Sequence, residues 1–448
     1  MRHFLLLSIL CIQQALAKQQ PNIILLLSDD QHWDATSVPM HPDFPSSSKK
    51  HQTPNLEKLA LQGMRFSAAY SPAPVCAPTR VSILTGKSPA ALHWCKASPV
   101  VKSSENTKYL ASPSAKNIKD PTFASQLQKA GYKTAHFGKW HIGGGGPEAH
   151  GFDVSDGDIG NEQSSKFKDP NPVDIVGMTN RAKSFINSTV ESPFYLQMSY
   201  LALHSPENAS QKNKDKFAKL LPNDKERSVQ RIALTADLDS GVGTLIDFLK
   251  EKQLLENTYI IYMADNGANS RTSNLRGGKG SLYEGGIRIP FIIVGPNIPA
   301  NSWSHTPISG IDFFPTFCKL AGAGSLPDKL EGSDITPLFN KQLIKRSAPL
   351  LFHFPHYQKS PPQSALIAGN YKILYDYESQ HTSLYNIHLD PAESNDLSTK
   401  NPEFAHQLKQ QLFSQLTNIN AAIPQPNPNF DPSKPTPNFD PRKPRHSK

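Results

Sequence analysis

Cysteine is scarce: the 448 residues hold four, and Cys11 falls in a leading stretch that looks removable. Three remaining cysteines in a chain of this length exclude a scaffold in which disulfides replace a hydrophobic core. Long apolar runs are also missing. Beyond Phe4 to Ile12 nothing approaches the ~20 apolar residues of a membrane-crossing helix, so no integral membrane contact is expected. Charge is not of one sign, since 47 Lys+Arg stand against 38 Asp+Glu for a net +9. Residues 424–448 contribute +3 of this and Arg2 another +1, leaving a mild +5. No basic stripe interleaved with aromatics and no zinc-finger spacing occurs, so no nucleic-acid partner is expected. A mild positive field favours anionic substrates.

The two ends carry the least core-forming sequence. Arg2, the apolar Phe4 to Ile12 and the exit Ala15-Leu16-Ala17 read as a secretory signal peptide over residues 1–17. Its removal places the protein in the periplasm or outside the cell. The 431 residues left suffice for one large core and a smaller second one. At the other end, Asn427-Pro-Asn-Phe-Asp-Pro-Ser-Lys-Pro435 is nearly repeated by Thr436-Pro-Asn-Phe-Asp-Pro-Arg-Lys-Pro444. Two Pro-dense nonamers bury no core, and residues 424–448 read as an extended, disordered tail.

Between the ends, strand-like and helix-like segments alternate. Asn22 to Ser28 is a continuous apolar run ending in Asp29-Asp30, the mark of a strand buried on both faces. Thr53-Pro54 opens a helix through Leu61, with Thr as N-cap. Pro121 to Ala130 reads as a helix stopped by Gly131, with a strand from Lys133 to Phe137. Phe194 to Leu203, Tyr259 to Ala264 and Arg288 to Val294 read as further strands, and Asp224 to Lys252 contains a long helix despite Gly241 and Gly243. The alternation argues for an α/β sheet with helices on both faces, over residues 18–345. Beyond it, over 346–423, shorter strand signals (Ser364 to Ala368, Tyr371 to Tyr375, Ser383 to Asn386) and the helix Pro402 to Leu416 suit a small antiparallel sheet plus helix.

Polar residues follow two of these strands: Asp29 and Asp30 the first, Asp265 and Asn266 a later one. An open α/β sheet places its ligand crevice at such strand ends. Three carboxylates and an amide offer oxygen donors only, which suits Ca²⁺ or Mg²⁺.

Cys76-Ala-Pro-Thr-Arg80, continuing Val-Ser-Ile-Leu-Thr85-Gly86, resembles the signature of the type I, formylglycine-dependent sulfatases. In that family the cysteine becomes an aldehyde whose hydrate attacks the sulfur of a sulfate ester. The resemblance continues in the family's order. Gly138-Lys139-Trp140-His141-Ile142-Gly143 resembles a motif whose Lys and His contact sulfate and nucleophile. His204 stands where the family has a substrate-facing histidine. The block Arg276 to Pro290 carries Lys279 where the last sulfate-binding lysine belongs, and Leu384-Tyr-Asn-Ile with Asp390-Pro-Ala-Glu393 resembles the C-terminal signature. These matches run from Pro21 to about Leu397.

The resemblance implies an alkaline-phosphatase-like mixed sheet sandwiched by helices, and a sulfatase active on a sulfated carbohydrate. It implies Cys76, Arg80, His141 and His204 as catalytic, with Lys139, His204 and Lys279 binding substrate. Asp29, Asp30, Asp265 and Asn266 would hold Ca²⁺, or Mg²⁺, against residue 76. His141 would release the sulfate, and either His204 or Lys279 would protonate the leaving alcohol. It also implies a maturation partner, a formylglycine-generating enzyme or an anaerobic sulfatase-maturating enzyme. A phosphoester or phosphonate hydrolase of the same superfamily stays open, as does a non-catalytic sulfated-glycan binder if Cys76 is never converted. The sequence departs from the family at Lys87, at Ala90 to Cys95 and at Gln31 to Asp34, the last left out of the metal site. Whether Cys95 and Cys318 are bridged, and whether His353 and His356 touch a sugar or pack, stay open here.

Overall fold

Asn22–Ser28 forms strand β1, and all seven residues are buried. Neighbouring side chains on a strand point to opposite faces. Ile23, Leu25 and Leu27 accordingly enter one core cluster, while Ile24 and Leu26 enter another. A strand that feeds two cores is the centre of a sandwich. The computed structural model describes residues 20–97, 106–110, 112, 114–115, 118–158, 160, 162–189, 191–268 and 273–437. The segment read as a signal peptide, residues 1–17, lies outside the described residues.

Seven more strands complete the sheet: β2 (Met64–Phe66), β3 (Lys133–Gly138), β4 (Val154–Ser155), β5 (Phe194–Ser199), β6 (Thr258–Ala264), β7 (Phe291–Val294) and β8 (Ser302–Ser304). Their order is β8-β2-β7-β6-β1-β5-β3-β4. The run β6-β1-β5-β3-β4 is parallel, whereas β7 is antiparallel to both β2 and β6. One face is covered by α1 (Pro54–Gln62), α4 (Ile175–Ser188), α5 (Gln211–Leu220) and α6 (Glu226–Glu251), the other by α2 (Cys76–Thr85), α3 (Phe123–Lys129) and α7 (Phe313–Ala321). This is the alkaline-phosphatase-like mixed sheet that the resemblance implied.

Several boundaries differ from expectation for local reasons. Thr53 precedes α1 without capping it through its side chain, because its hydroxyl is 2.8 Å from that of Ser37. Thr122 does cap α3, accepting from the Ser125 amide. The strand expected through Leu203 ends at Ser199; beyond it Tyr200 and Leu203 bond through their amides to the carbonyls of Leu27 and Asp29 as a loop. Gly241 and Gly243 do not interrupt α6, since they permit close approach. A Cβ at Gly241 would lie 2.5 Å from Ile175 of α4, and one at Gly243 2.5 Å from Asn55 of α1.

The C-terminal sheet is an antiparallel meander of β9 (Leu350–Phe354), β10 (Gln363–Ala368), β11 (Tyr371–Asp376) and β12 (Thr382–Asn386). One face packs under α8 (Pro402–Asn418) through Leu351, Leu366, Ile373 and Leu384. The other packs on Tyr70, Leu282 and Ile287 of the larger unit.

The tail is not loose from residue 424. Gln425–Pro426 pairs antiparallel with Tyr109–Leu110, and the Asn427 amide bonds to the Lys108 carbonyl. Asn106 donates to the Asp431 carbonyl at 2.7 Å and accepts from its amide at 2.8 Å. Asn and Asp of the first nonamer thus supply the polar contacts that proline backbone lacks, which corrects the expectation of a free tail for that copy. Most of the second nonamer, from residue 438, lies outside the described residues.

Candidate active site

Parallel strands β6, β1, β5 and β3 open their carboxyl ends on one edge, where α/β sheets bind ligands. Asp265 and Asn266 follow β6, Asp29 and Asp30 follow β1, His204 follows β5, and Lys139 and His141 follow β3. Pairing of Ser28 with Ala264 sets the two acidic ends side by side. Cys76 opens α2, where first-turn amides favour negative charge. Lys279 arrives on the loop before β7, whose backbone is tied to Ala268 and Pro74.

The structure brings all ten candidate residues to this edge, with His204 at its exposed rim and His141 half-buried, its Nδ1 without a hydrogen-bond partner. The Cys76 thiol donates to Asp29 Oδ1 at 3.2 Å and lies 3.8 Å from Asp30 Oδ1. Lys279 Nζ donates to Asp30 Oδ1 at 2.6 Å and to Cys76 Sγ at 3.3 Å. Lys139 pairs with Asp29, and Arg80 grips Asp265 Oδ2 through Nη2 at 2.8 Å and Nε at 3.2 Å. Arg80 Nη1 also donates to the Lys139 carbonyl at 2.6 Å, which positions that lysine. His204 Nε2 stands 4.0 Å from Asp30 Oδ2, with Nδ1 2.8 Å from the Ser205 carbonyl. His141 adopts a left-handed backbone, φ 65°, uncommon for a residue with a Cβ and frequent at functional sites.

Burial dominates the electrostatics. It would raise Asp29, but Lys139, Arg80 and Lys279 outweigh it and hold that carboxyl well below the usual range. Asp265 goes the other way: burial, then the charge of Asp29, push it up to about 6. Burial and the carboxylates of Asp265 and Asp29 raise the Cys76 thiol well above its ordinary value. Reactive thiolates sit in electropositive, partly exposed surroundings instead. Burial, aided by Lys139 and Arg80, lowers His141 to about 3, so its ring is neutral.

One ligand atom each from Asp29, Asp30, Cys76 and Asp265 lies within 4.8 Å of the others. Asn266 Nδ2 donates to Asp30 Oδ1 at 2.7 Å, yet its Oδ1 is buried without a hydrogen-bond partner. A buried, unpaired amide oxygen beside three carboxylates is the donor set of a hard divalent cation, so these residues fit one.

Other residues singled out in the sequence fall outside this cluster. Gln31 to Asp34 are buried, with Gln31 accepting from Ser28 and Tyr262. His353 is buried and packs through its ring nitrogens, 2.7 Å from Ser364 Oγ and 3.1 Å from the Ala422 carbonyl, whereas both ring nitrogens of the buried His356 lack a hydrogen-bond partner. Lys87 pairs with Asp120. Cys95 and Cys318 are unbridged. Sequence reasoning missed Lys372, fully buried between Glu284 and Glu393 at 2.9 Å from each. A lone Lys inside an apolar strand segment, Tyr371 to Tyr375, was the available signal.

The sulfatase family matches residues 21–323, more than half of the chain. The chain belongs to that family and is by class a sulfuric ester hydrolase. A second family, described as N-sulphoglucosamine sulphohydrolase, C-terminal, matches residues 278–422. Among individual relatives, N-acetylgalactosamine-6-sulfatase of Canis lupus familiaris is 27% identical over 83% of this chain and 74% of its own length. Arylsulfatase A of Homo sapiens is 27% identical over 90% of this chain and 85% of its own. Among solved structures, Ps i-CgsB in complex with k-i-k-neocarrahexaose superposes with a TM-score of 0.72 at 26% identity, covering 89% of this chain and 93% of that one.

Proposed function

We propose that this sulfatase is secreted or periplasmic and removes sulfate from a sulfated carbohydrate, with residue 76 acting as formylglycine beside a bound Ca²⁺. The carrying observation is the placement of Cys76 at the start of α2, 3.2 Å from Asp29 and 3.3 Å from Lys279. A thiol held protonated there is a poor nucleophile, whereas an aldehyde hydrate in its place sits between carboxylates and cations. Asp29, Asp30, Asp265 and Asn266 would hold the metal. Their crowded oxygens suit Ca²⁺ better than Mg²⁺, which demands a near-ideal octahedron and keeps its waters. When bound, the cation polarises the ester oxygens and favours ionisation of the hydrate.

The chain's own residues do the rest. Three carboxylates and the cations Arg80, Lys139 and Lys279 cancel in charge, so a divalent ion leaves the site positive toward an anionic ester. As an aldehyde hydrate, residue 76 supplies the oxygen that bonds to sulfur as the sulfur–alcohol bond breaks, and later releases sulfate by reforming its carbonyl. Lys139 and Lys279 bind sulfate oxygens and offset charge that builds on them. Arg80 holds Asp265 in place. His204, with Nδ1 turned to Ser205, presents Nε2 to give the leaving alcohol a proton; Lys279 is the other donor in reach. His141 takes the proton of the second hydroxyl as sulfate departs.

The carbohydrate substrate is supported by two of the relatives, an N-acetylgalactosamine-6-sulfatase and a protein solved in complex with a neocarrahexaose. Cys76 is only 2% exposed, so a maturation enzyme would have to reach it before the fold closes. Among the described residues no helix is long and apolar enough to cross a membrane. The test is peptide mass analysis of residue 76 alongside turnover of an aryl sulfate and an aryl phosphate. An aldehyde at residue 76, preference for the sulfate ester and loss of turnover in folded Cys76→Ala are expected. A fully active Cys76→Ala, or preference for the phosphate, would overturn the reading.

A further inference from the structure

Three histidines from distant segments meet at a place that shares no residue with the carboxylate cluster. His41 lies in the loop between β1 and α1, His305 directly follows β8, and His388 lies just past β12. One ring nitrogen of each falls within 4.8 Å of the others. Ring centroids are separated by 5.8 Å for His41–His305, 6.3 Å for His41–His388 and 5.5 Å for His305–His388. His41 is buried, His388 half-buried and His305 exposed, so the cluster runs from the interior to solvent and leaves an entry path.

Two details go beyond proximity. His41 Nε2 is buried without a hydrogen-bond partner, although its Nδ1 takes the Asp43 amide at 3.1 Å. Buried polar atoms are nearly always satisfied, and an orphan on a ring packed against two more imidazoles calls for a ligand. His305 Nδ1 lies 2.7 Å from Ser67 Oγ, an outer contact of the kind that fixes the ring of a metal-ligating histidine. Burial, with the positive charges of Arg288 and His305, lowers His41 to about 4; burial and His388 lower His305 too. Neutral rings keep the lone pairs that a metal needs.

We propose that His41, His305 and His388 form a second metal site, for one borderline transition-metal dication of which Zn²⁺ is the first choice. Imidazole nitrogens suit zinc and are poor donors for Ca²⁺ or Mg²⁺. Zinc holds each nitrogen at about 2.0–2.1 Å, which requires the three to stand roughly 3.3 Å apart. The nitrogens lie within 4.8 Å of one another, so binding has to close each gap by no more than about 1.5 Å. Binding through His41 Nε2 moves the ring proton to Nδ1 and gives up the bond from the Asp43 amide, one hydrogen bond exchanged for a metal bond. The fourth position falls to water or to Asp43, the carboxylate whose charge acts on both His41 and His305. Such an ion would pin the C-terminal sheet, through His388, to the β8 edge and to the loop that follows β1.

The test uses the full, calcium-loaded protein, with Zn²⁺ titrated calorimetrically and Co²⁺ as the spectroscopic probe. Expected are one zinc per chain, the intense visible absorption of tetrahedral cobalt, and a higher melting midpoint with zinc. His305→Ala, at an exposed position, and His388→Ala should each weaken zinc binding by at least ~10-fold. Aryl sulfate turnover should be unchanged in both, so the outcome does not depend on the catalytic reading. Absence of zinc binding in the wild type would show that the rings merely pack. Equal zinc affinity in the wild type and both variants would place the ion elsewhere. Either result overturns the proposal.

Discussion

Replacing Lys372 by methionine removes a cation from a cluster that has no exposure to solvent. Lys372 reaches from β11 to Glu284 and Glu393, 2.9 Å from each. Glu284 also pairs with Arg288 at 3.1 Å and accepts from Tyr70 at 2.9 Å, while Glu393 takes the Glu284 amide at 2.7 Å. Breaking a buried pair by deleting one partner costs about 3–5 kcal/mol, because the other charge stays buried and unpaired. Glu284 keeps Arg288, so the lower end, about 3 kcal/mol, is expected. Burial holds Glu393 above the ordinary carboxylate range, and Lys372 pulls it back down. A carboxyl raised on folding contributes stability that is complete below its unfolded pKa and lost as pH rises through the folded one. Without Lys372 the folded value climbs further, so the deficit should be larger near pH ~8 than near pH ~6. Adding Glu393→Gln removes the stranded charge and keeps an oxygen for the Glu284 amide, restoring stability to within about 1 kcal/mol. Urea unfolding followed by tryptophan fluorescence reports it, since Trp33 stacks 4.8 Å from the Arg288 guanidinium. A single-variant loss under about 1 kcal/mol at both pH values, or a double variant no better than the single, refutes this account. Because Glu284 shares a loop with Lys279, KM for an aryl sulfate should rise in the single variant and recover in the double.

Three further outcomes are expected. Asp265→Ala strips an oxygen from the proposed metal ligands and the partner from Arg80, so turnover should fall by orders of magnitude, and a chelator should reproduce the loss in the wild type; undiminished turnover would contradict the oxygen-donor site. His353 is buried and lowered to about 4 by desolvation, so its neutral form stabilises the fold above its unfolded value of 6.5 and that stability is lost as pH falls toward about 4; His353→Asn should flatten the wild-type decline by up to about 1.4 kcal/mol per pH unit, measured as unfolding free energy against pH. Truncation after Ile423 removes the strand partner of Tyr109–Leu110 and the contacts of Asn106, so proteolysis near residue 106 should accelerate while turnover of a short aryl sulfate is unchanged; equal proteolysis rates would mean that the docked tail contributes nothing.

Elements defined by their own residues were readable. Asn22–Ser28 declares a buried strand by unbroken apolarity, and its ends match the structure residue for residue. The polar pairs at the ends of β1 and β6 were readable for the same reason, since a strand's end and an abrupt Asp-Asp or Asp-Asn are both local signals. Strand β9 was missed because Leu350–Phe354 is short and bounded by Pro349 and Pro355, and its burial comes from Tyr70 and α8, which are distant in the chain. The tail was misread for a related reason. Proline density correctly argued that it builds no core, but its polar Asn and Asp found donors and acceptors on residues 106–110. Lys372 and the three histidines show the same limit more sharply. A lysine in a strand, or a histidine after one, carries no mark of its partner when that partner is dozens or hundreds of residues away. The Asp390-Pro-Ala-Glu393 motif was visible, yet its physical role, anchoring the Lys279 loop through Lys372, exists only once β11 is laid against that loop. Local pattern therefore located the residues that meet at the carboxyl edge of the sheet, and tertiary contact alone exposes the buried ion pairs of Lys372 with Glu284 and Glu393 behind them.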